Sequence, residues 1–316
     1  MNNLSDDANL AIIIPAYKSV YLQATLESLR NQTDKRFTVY IGDDCSPDDL
    51  EPIIQLYIEE LDIVYHRFED NLGGHDLVAQ WNRCLDLIAD EPWFIMFSDD
   101  DIIGNNCIEH LFAVLDIIDV DVFHFNIKII DKNGNVLKVP NEYPERLTSV
   151  DFFELLYHDK IDARMPEFVF KTNTFKELGG FVEFPMAMRS DNATVMQIAL
   201  DKGIYTIPSS YVYWRDSGIN VSSSSDSSKY VIYYEVLVDF FHWYEDFIQL
   251  NSLKTKWDRI EMFLYLRNYG VNIEYIIGKD ERIRILKSYR NYPKKISDIP
   301  FVIQYYIKRI KKKLFS

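Results

Sequence analysis

The fold is decided by the stretch Trp93-Phe94-Ile95-Met96-Phe97-Ser98-Asp99-Asp100-Asp101. Its apolar run is typical of a strand buried on both faces, as in a parallel sheet. Open α/β sheets bind ligands past the carboxyl ends of their strands, where the three aspartates lie. Adjacent carboxylates repel one another, so they favour a bound cation, and hard oxygen ligands of this kind suit Mg²⁺ or Mn²⁺. A solvated acidic turn is the alternative interpretation.

Apolar segments alternate with helical patterns on both sides of this stretch. Strands are predicted at 10–15, 37–41, 63–68 and 93–97, and helices at 21–32, 50–61, 76–89 and 107–118. This alternation predicts a parallel sheet with right-handed crossovers. No Gly-x-Gly-x-x-Gly follows the first strand, which weakens a dinucleotide-binding interpretation.

The regular alternation ends near residue 118, and a mixed α+β region follows. Asn133-Gly134 predicts a hairpin between strands at 121–130 and 136–139. Ser149 is predicted to cap a helix. The other predicted elements are that helix at 150–158, a helix from Asp191 to about Lys202, and strands at 168–171, 205–207 and 211–214.

A serine-rich segment, 216–228, is predicted to be a mobile loop that is either a lid or a linker. We place the end of the main domain near Ser228, with a nucleotide-binding half at about 10–118 and an acceptor half at about 119–228. Region 229–316 is predicted to be helical, with helices at 230–250, 253–268, 279–290 and 299–314, and to end in a basic tail. The aromatic residues of 230–250 are expected to pack in a core.

The net charge of −15 argues against nucleic acid as a partner, because phosphate binding needs a cationic surface. The 3 cysteines show no disulfide or metal spacing, the amino terminus is polar and acidic, and no apolar run is long enough to span a bilayer. We therefore expect a cytoplasmic protein. The tail, 308–315, threads apolar residues through cations and favours contact with the inner face of an anionic membrane. A soluble helix end is the alternative.

The loops after the four predicted strands should meet at one rim of the sheet. They contain Pro15-Ala16-Tyr17, Asp43-Asp44, Gly73-Gly74 and 98–101. A nucleotide diphosphate with a divalent cation fits these residues. Tyr17 could pack near the base, a carboxylate could accept from an imide N–H, and the acidic triplet could hold the ribose and the metal. The metal is required because carboxylates alone would repel the diphosphate.

The chain resembles the family 2 glycosyltransferases of the GT-A fold over roughly Leu10–Ser222. Six motifs carry the resemblance in the expected order: Ile12–Tyr17, Asp43–Ser46, Asn71–Gly74 with Asn82, the Asp-rich end of the fourth strand, Leu178–Phe181 with Arg189–Asp191, and Tyr213–Arg215. The resemblance implies a mainly parallel α/β sheet flanked by helices.

The resemblance also implies roles for individual residues. Nucleotide-binding residues would be Pro15, Ala16, Tyr17, Asp43, Asp44, Gly73, Asn82 and Asp99. Asp100 would bind the metal together with Asp99, and Asp191 would be the catalytic base. Gly179, Gly180, Phe181, Ser190 and Arg215 would contact the donor or acceptor sugar. This chain departs from the family at Ser98 and Ser190, which stand where acidic residues are common, at Trp81, and in lacking a His after Arg215.

The implied function is a metal-dependent inverting transfer from a nucleotide sugar, expected to be UDP-linked, to a glycan or lipid-linked acceptor in surface polysaccharide assembly. Asp191 is expected to stay ionised because it lies at a helix N-terminus; a simple N-cap is the alternative. A sugar nucleotidyltransferase and a catalytically silent scaffold of the same fold remain as other functions. The loops contain no pattern that identifies the sugar or the acceptor.

Overall fold

The structure, a computed structural model, describes residues 9–218 and 227–293 together with Pro300, Ile303 and Ile307. The chain forms two compact units, Met1–Ser223 and Ser224–Ser316, whereas the predicted boundary was residue 228. The basic tail, most of the serine-rich segment and most of the helix predicted at 299–314 lie outside the described residues. None of the helices in the described ranges has the length and apolar character needed to cross a bilayer.

The first unit is built on one ten-stranded sheet. Its strands are β1 Leu10–Ala16, β2 Phe37–Asp43, β3 Ile63–Arg67, β4 Trp93–Met96, β5 Ile102–Ile103, β6 Val122–Ile130, β7 Val136–Lys138, β8 Arg146–Leu147, β9 Phe168–Lys171 and β10 Ile204–Arg215. The order is β3-β2-β1-β4-β9-β6-β10-β5, with β7 paired to β6 and β8 to β10. The pairs β1–β2, β1–β4 and β2–β3 are all parallel, which confirms the predicted parallel sheet.

Helices of the first unit are α1 Leu22–Arg30, α2 Glu51–Ile54, α3 Leu77–Leu85, α4 Cys107–Leu115, α5 Ser149–Tyr157, α6 Thr172–Glu177 and α7 Ser190–Ile198. The helix predicted at 50–61 was too long. Beyond α2 the backbone bonds are mixed: Tyr57 N donates to Ile54 O, three residues back, and Leu61 N to Tyr57 O, four residues back, both at 2.9 Å. The buried side chains Ile54, Tyr57 and Leu61 recur at three and four residues, the spacing of an α-helix, although the backbone there forms turns.

Two other local predictions were wrong. Thr148 caps α5 in place of Ser149, because its side chain and that of Asp151 form a reciprocal capping box. The strands predicted at 205–207 and 211–214 are one strand, β10, whose pairing with β6 shifts register between Ile207 and Tyr211. Pro208, which has no N–H to donate, lies at that shift. The predicted β6–β7 hairpin is confirmed.

The core of the first unit fixes where its loops lie. Leu10, Ile12 and Ile14 of β1 are buried in one cluster with Ile95 of β4 and Leu26 of α1. Parallel pairing places Ala16 opposite Asp43, at the carboxyl ends of β1 and β2. Since β4 also runs parallel to β1, its acidic end emerges beside the loop that follows β1. The predicted rim therefore exists for these three strands.

The second unit contains α8 Ser227–Leu250, α9 Arg259–Ile277 and α10 Lys279–Ser288. Most aromatic side chains of α8 are buried, as expected, including Tyr234, Phe240, Phe241 and Tyr244. The Tyr234 hydroxyl donates to Leu266 O at 2.8 Å, which joins α8 to α9. Asp258 caps α9 by accepting from the amides of Ile260 and Glu261.

Candidate functional site

The acidic loop after β4 is tied to the loop after β1. Asp99 Oδ2 accepts from the backbone amides of Tyr17 and Lys18, both at 2.8 Å. The Lys18 ammonium lies 3.1 Å from Asp100 Oδ2 and 3.7 Å from Asp99 Oδ1. Only 6% of each carboxylate side chain is exposed, against 27% of Lys18. The two aspartates thus share one cationic partner, which the sequence analysis did not identify.

Opposing effects set the charge of this cluster. Burial raises the pKa of Asp99, while the nearby Lys18 ammonium opposes that rise. For Lys18 burial lowers the pKa, but the attraction of Asp99 and Asp100 outweighs it and leaves the pKa raised. Lys18 therefore stays protonated at neutral pH, and it neutralises part of the charge of the acidic loop.

Asp101 and Arg215 hold the acidic loop against β10. Asp101 Oδ1 accepts from the Arg215 amide at 2.8 Å, and the Thr25 hydroxyl donates to Asp101 O at 2.8 Å. The Arg215 Nε donates to Asp100 O at 2.8 Å, and its guanidinium lies over the Tyr21 ring. Burial, helped by the nearby Asp100 charge, raises the pKa of Asp101 well above its ordinary value. No role for Asp101 was predicted from the sequence. In the structure, Asp101 stabilises the loop that carries Asp99 and Asp100.

Asp44 organises the turn between β3 and α3. Its Oδ1 accepts from Leu72 N at 2.8 Å and from the Arg83 guanidinium, and its Oδ2 accepts from Gly73 N at 2.9 Å and Asn71 Nδ2 at 3.2 Å. A Cβ on Gly73 would lie 2.8 Å from Asp44 Oδ2, so the close approach of this turn needs glycine. A base imide would have to displace one of these donors to reach the carboxylate. The predicted contact of Asp44 with the base stays a prediction.

Asp43 supports the loop that carries Tyr17. Its carboxylate is fully buried and accepts from Ser46 N, Tyr65 Oη and Arg67 Nη1, each at 2.7 Å. The Ser46 hydroxyl in turn donates to Tyr17 O at 2.7 Å. The Tyr17 ring itself is 42% exposed, which leaves a face on which a planar base could stack. Asp43 therefore acts on the predicted base pocket through the backbone of Tyr17.

Asp191 lies in the first turn of α7, as predicted. The residue before the helix, Arg189, is left-handed, with φ of 68°. Burial raises the pKa of Asp191, and the Asn192 amide, Arg189 and Arg164 oppose the rise. We had expected the helix dipole to determine the charge of Asp191, but desolvation is the larger effect. A raised pKa brings a carboxylate closer to the range in which a general base works best.

A buried acid–imidazole pair lies close enough to Asp191 to feel its charge. Glu167 Oε1 is 3.4 Å from His124 Nε2, both side chains are fully buried, and the His124 ring stacks on Tyr143 with centroids 3.7 Å apart. Burial raises the pKa of Glu167 well above its ordinary value and lowers that of His124 well below. The pair is therefore uncharged at neutral pH. No sequence pattern indicated it, because the two residues are 43 positions apart (167 − 124), His124 on β6 and Glu167 in the short 3-10 turn Met165–Glu167 before β9.

Comparison with known proteins identifies the family. The sequence model described as Glycosyl transferase family 2 matches residues 11–188, which is more than half of the chain. The chain belongs to glycosyl transferase family 2.

The chain is also similar to two curated N-acetylglucosaminyltransferases. The poly(ribitol-phosphate) beta-N-acetylglucosaminyltransferase TarS of Staphylococcus aureus strain MW2 is 26% identical over 236 residues, covering 72% of this chain and 39% of TarS. The TarS of strain Mu50 gives the same values. The chain thus spans about two fifths of the length of these curated relatives.

Solved structures support the fold. The crystal structure of S. aureus TarS 1–349 in complex with UDP-GlcNAc has a TM-score of 0.62 and 21% identity, covering 89% of this chain and 80% of that one. The same TarS segment in complex with UDP has a TM-score of 0.56 and 20% identity, covering 93% and 78%. The GT-A arrangement expected for family 2 is therefore present.

In this family 2 chain, the residues predicted to contact sugar are mostly packed. Phe181 is buried against Trp81, with ring centroids 5.2 Å apart. The Ser190 hydroxyl accepts from Phe184 N at 3.1 Å, and the nearest side-chain atom to a Cβ on Gly180 would be Asn82 Oδ1 at 3.7 Å. The contacts of these residues with sugar stay predictions, as does that of Gly179.

The predicted residues fall into two groups. Tyr17, Asp99 and Asp100 form one group with Lys18, and Asp191 belongs to another with Arg164 and Glu167. The groups are linked through β10, because the Arg164 guanidinium lies 4.8 Å from the Trp214 ring, and Trp214 precedes the Arg215 that holds the acidic loop. Lys18, Arg83 and Arg164 were not predicted from the sequence. The signal that could have found them was a cationic residue in one loop of the rim that faces acidic residues in another loop.

Proposed function

We propose that this protein is an inverting glycosyltransferase that moves a sugar from a UDP-sugar, with a divalent cation, to a hydroxyl group of a glycan or lipid-linked acceptor. The observation that carries the proposal is the pair of shielded carboxylates, Asp99 and Asp100, turned towards one cation position at the carboxyl end of β4. The exposed Tyr17 beside them offers a surface for the base. TarS, to which the chain is similar, was crystallised with UDP-GlcNAc, so UDP-GlcNAc is the first donor to test.

The carboxylates suit Mn²⁺ or Mg²⁺ held jointly with the diphosphate. Within the described ranges no three His, Cys, Asp or Glu side chains converge as metal ligands. Magnesium sites that bind nucleotides commonly use one or two carboxylates, and substrate phosphates and water supply the other ligands. Asp100, with Asp99, would hold the ion, which would neutralise charge on the leaving diphosphate.

Asp191 is the proposed base. Its carboxylate would accept the proton of the acceptor hydroxyl while that oxygen forms a bond to the anomeric carbon. The bond from the anomeric carbon to the nucleotide breaks on the opposite face, UDP leaves with the bonding electrons, and the configuration inverts. Arg189 and Arg164, which oppose the rise of the Asp191 pKa, keep enough of this carboxylate ionised to work near neutral pH.

A thermal-shift screen of nucleotide sugars with Mn²⁺ and Mg²⁺ tests this function. We expect UDP-GlcNAc or UDP with Mn²⁺ to raise the melting temperature of the wild type but not of Asp100→Ala. Asp116→Ala, at an exposed position after α4, is the matched control and should respond like the wild type. An unchanged melting temperature with every nucleotide would refute the proposal. Pyrophosphate release from a nucleoside triphosphate and a sugar phosphate would favour a nucleotidyltransferase, and binding without any hydrolysis or transfer would favour a silent scaffold.

The acceptor is proposed to belong to a surface polysaccharide, and the basic tail to bring the protein to an anionic membrane. The alternation of cations with apolar residues in 308–315 supports this proposal. The full chain should sediment with vesicles that contain phosphatidylglycerol, and replacing Lys311, Lys312 and Lys313 by glutamate should abolish sedimentation. Equal sedimentation of both chains would argue against the tail as the contact.

A further inference from the structure

The Lys18 side chain contacts both aspartates of the proposed metal site. Its backbone amide is fixed by Asp99 Oδ2, while its ammonium turns back over the same loop to Asp100 Oδ2 at 3.1 Å and Asp99 Oδ1 at 3.7 Å. Asp99 has Oδ1 left for a metal ion, because its Oδ2 already accepts two amide protons, and Lys18 contacts that Oδ1 together with Asp100 Oδ2.

The ammonium and a divalent ion cannot share this position. Both need the same two oxygens, and two cations within 4 Å repel each other strongly where water is largely excluded. The carboxylates are shielded, with 6% of each side chain exposed, so screening by salt is weak here. A metal ion held by both Asp99 Oδ1 and Asp100 Oδ2 must therefore displace Lys18.

The Lys18 side chain can leave the acidic pair towards solvent. Its side chain is 27% exposed, whereas the two carboxylates are shielded, so it reaches the acidic pair from the solvent side. The hydrogen bond from its backbone amide to Asp99 holds the backbone in place, while the four-carbon side chain can change rotamer. A diphosphate bound at the metal would present new negative charge on that same side.

We propose that Lys18 is an exchangeable counter-ion: it holds the Asp99–Asp100 pair until a divalent ion arrives, and it then turns to the donor diphosphate. This inference rests on the proposed function and adds a donor-binding residue to it. Its consequence is that the metal binds weakly alone and well together with UDP, since only the diphosphate gives the displaced ammonium a new partner.

The counter-ion role is tested by the binding of Mn²⁺ alone. The binding is measured from the electron paramagnetic resonance signal of the free ion. Lys18→Met should bind Mn²⁺ at least about tenfold more tightly than the wild type, because no ammonium has to be displaced. Lys18→Arg keeps the charge and should bind Mn²⁺ as weakly as the wild type. Lys138→Met, which removes a surface ion pair with Asp162, is the matched control and should change nothing. Equal Mn²⁺ affinity in Lys18→Met and the wild type would overturn the inference.

Calorimetry with UDP at saturating Mn²⁺ tests the second half. Lys18→Met should bind UDP at least about fivefold more weakly than the wild type, since the ammonium contact to the diphosphate is lost. Unchanged UDP affinity would refute the donor-binding role. If no variant binds UDP while Lys18→Met still gains Mn²⁺ affinity, the proposed function fails and the counter-ion role stands.

Reductive methylation of the wild type provides a measurement that does not depend on a variant. Lys18 should be methylated several-fold faster at saturating Mn²⁺ than without it, because the displaced amine faces solvent. Lys138, which is already on the surface, should react at the same rate in both conditions. An unaltered rate at Lys18 would show that the metal does not displace it.

Discussion

Replacing Asp44 by alanine should release the turn at 71–74 from the sheet. The side chain accepts from the amides of Leu72 and Gly73 at 2.8 and 2.9 Å, and it pairs with the Arg83 guanidinium. No other residue among those described is shown accepting from either amide, so the variant leaves both donors to water.

The loss can be estimated from these contacts. A hydrogen bond to a charged group contributes about 1.5–3 kcal/mol, so the two amides together represent at least about 3 kcal/mol. The Arg83 pair adds about 0.5–1 kcal/mol, because it is partly exposed and screened. A local loss of at least about 3.5–4 kcal/mol favours opening of the turn by at least roughly 300- to 700-fold, at 1.4 kcal/mol for each factor of ten.

Amide hydrogen exchange measures this opening directly, because protection reports the free energy of local unfolding. In Asp44→Ala, exchange at Leu72 and Gly73 should quicken at least about 100-fold. Asp70→Ala is the matched control, since Asp70 also pairs with Arg83, at 2.9 Å, but is 73% exposed. We expect less than about a fivefold change there, as for other surface ion pairs. Equal acceleration in both variants, or less than about tenfold in Asp44→Ala, would refute the view that the carboxylate anchors the turn.

Further predictions concern the proposed base, its surroundings and the turn. Asp191→Asn should lower kcat by about 10²–10⁴ while calorimetry finds UDP affinity unchanged, because a general base contributes to the chemical step alone. Arg164→Met should raise the pKa of Asp191 further and shift the acid limb of the kcat–pH profile to higher pH, since Arg164 lowers that pKa; an unmoved limb would contradict the contact. For Glu167, the folded protein keeps the carboxyl protonated above its ordinary pKa of 4.5, at which the unfolded chain ionises, so wild-type stability falls as the pH rises through this window. The urea midpoint of unfolding of Glu167→Gln, relative to that of the wild type, should therefore increase between about pH 5 and pH 8. A difference that decreases over this range would contradict a neutral Glu167. Gly73→Ala should cost about 1–3 kcal/mol in thermal unfolding, because its Cβ would lie 2.8 Å from Asp44 Oδ2; an unchanged melting temperature would show that the turn can give way.

The amino-acid pattern alone was enough to predict the parallel half of the sheet and the position of its ligand-binding edge. The apolar run at Trp93–Met96 could be buried only as a strand between others, and the helical patterns on either side required crossovers of one hand. These two local facts place the ends of β1, β2 and β4 together, so the aspartates after β2 and β4 had to meet at one rim. The longer helix predicted after β2 was wrong because Ile54, Tyr57 and Leu61 recur at helical spacing, whereas the backbone after Ile54 forms turns.

The role of each side chain at that rim depends on contacts that form only in the folded protein. The contacts of Lys18 with Asp100 and of Arg215 with Asp101 join residues 82 and 114 positions apart, and no local periodicity encodes such pairs. The same holds for burial: the helix position of Asp191 predicted that it stays ionised, but the surroundings that desolvate it raise its pKa. Charge, protonation and exposure depend on what packs around a group from distant parts of the chain, because the dielectric surroundings and the partners of a side chain exist only once the fold has formed.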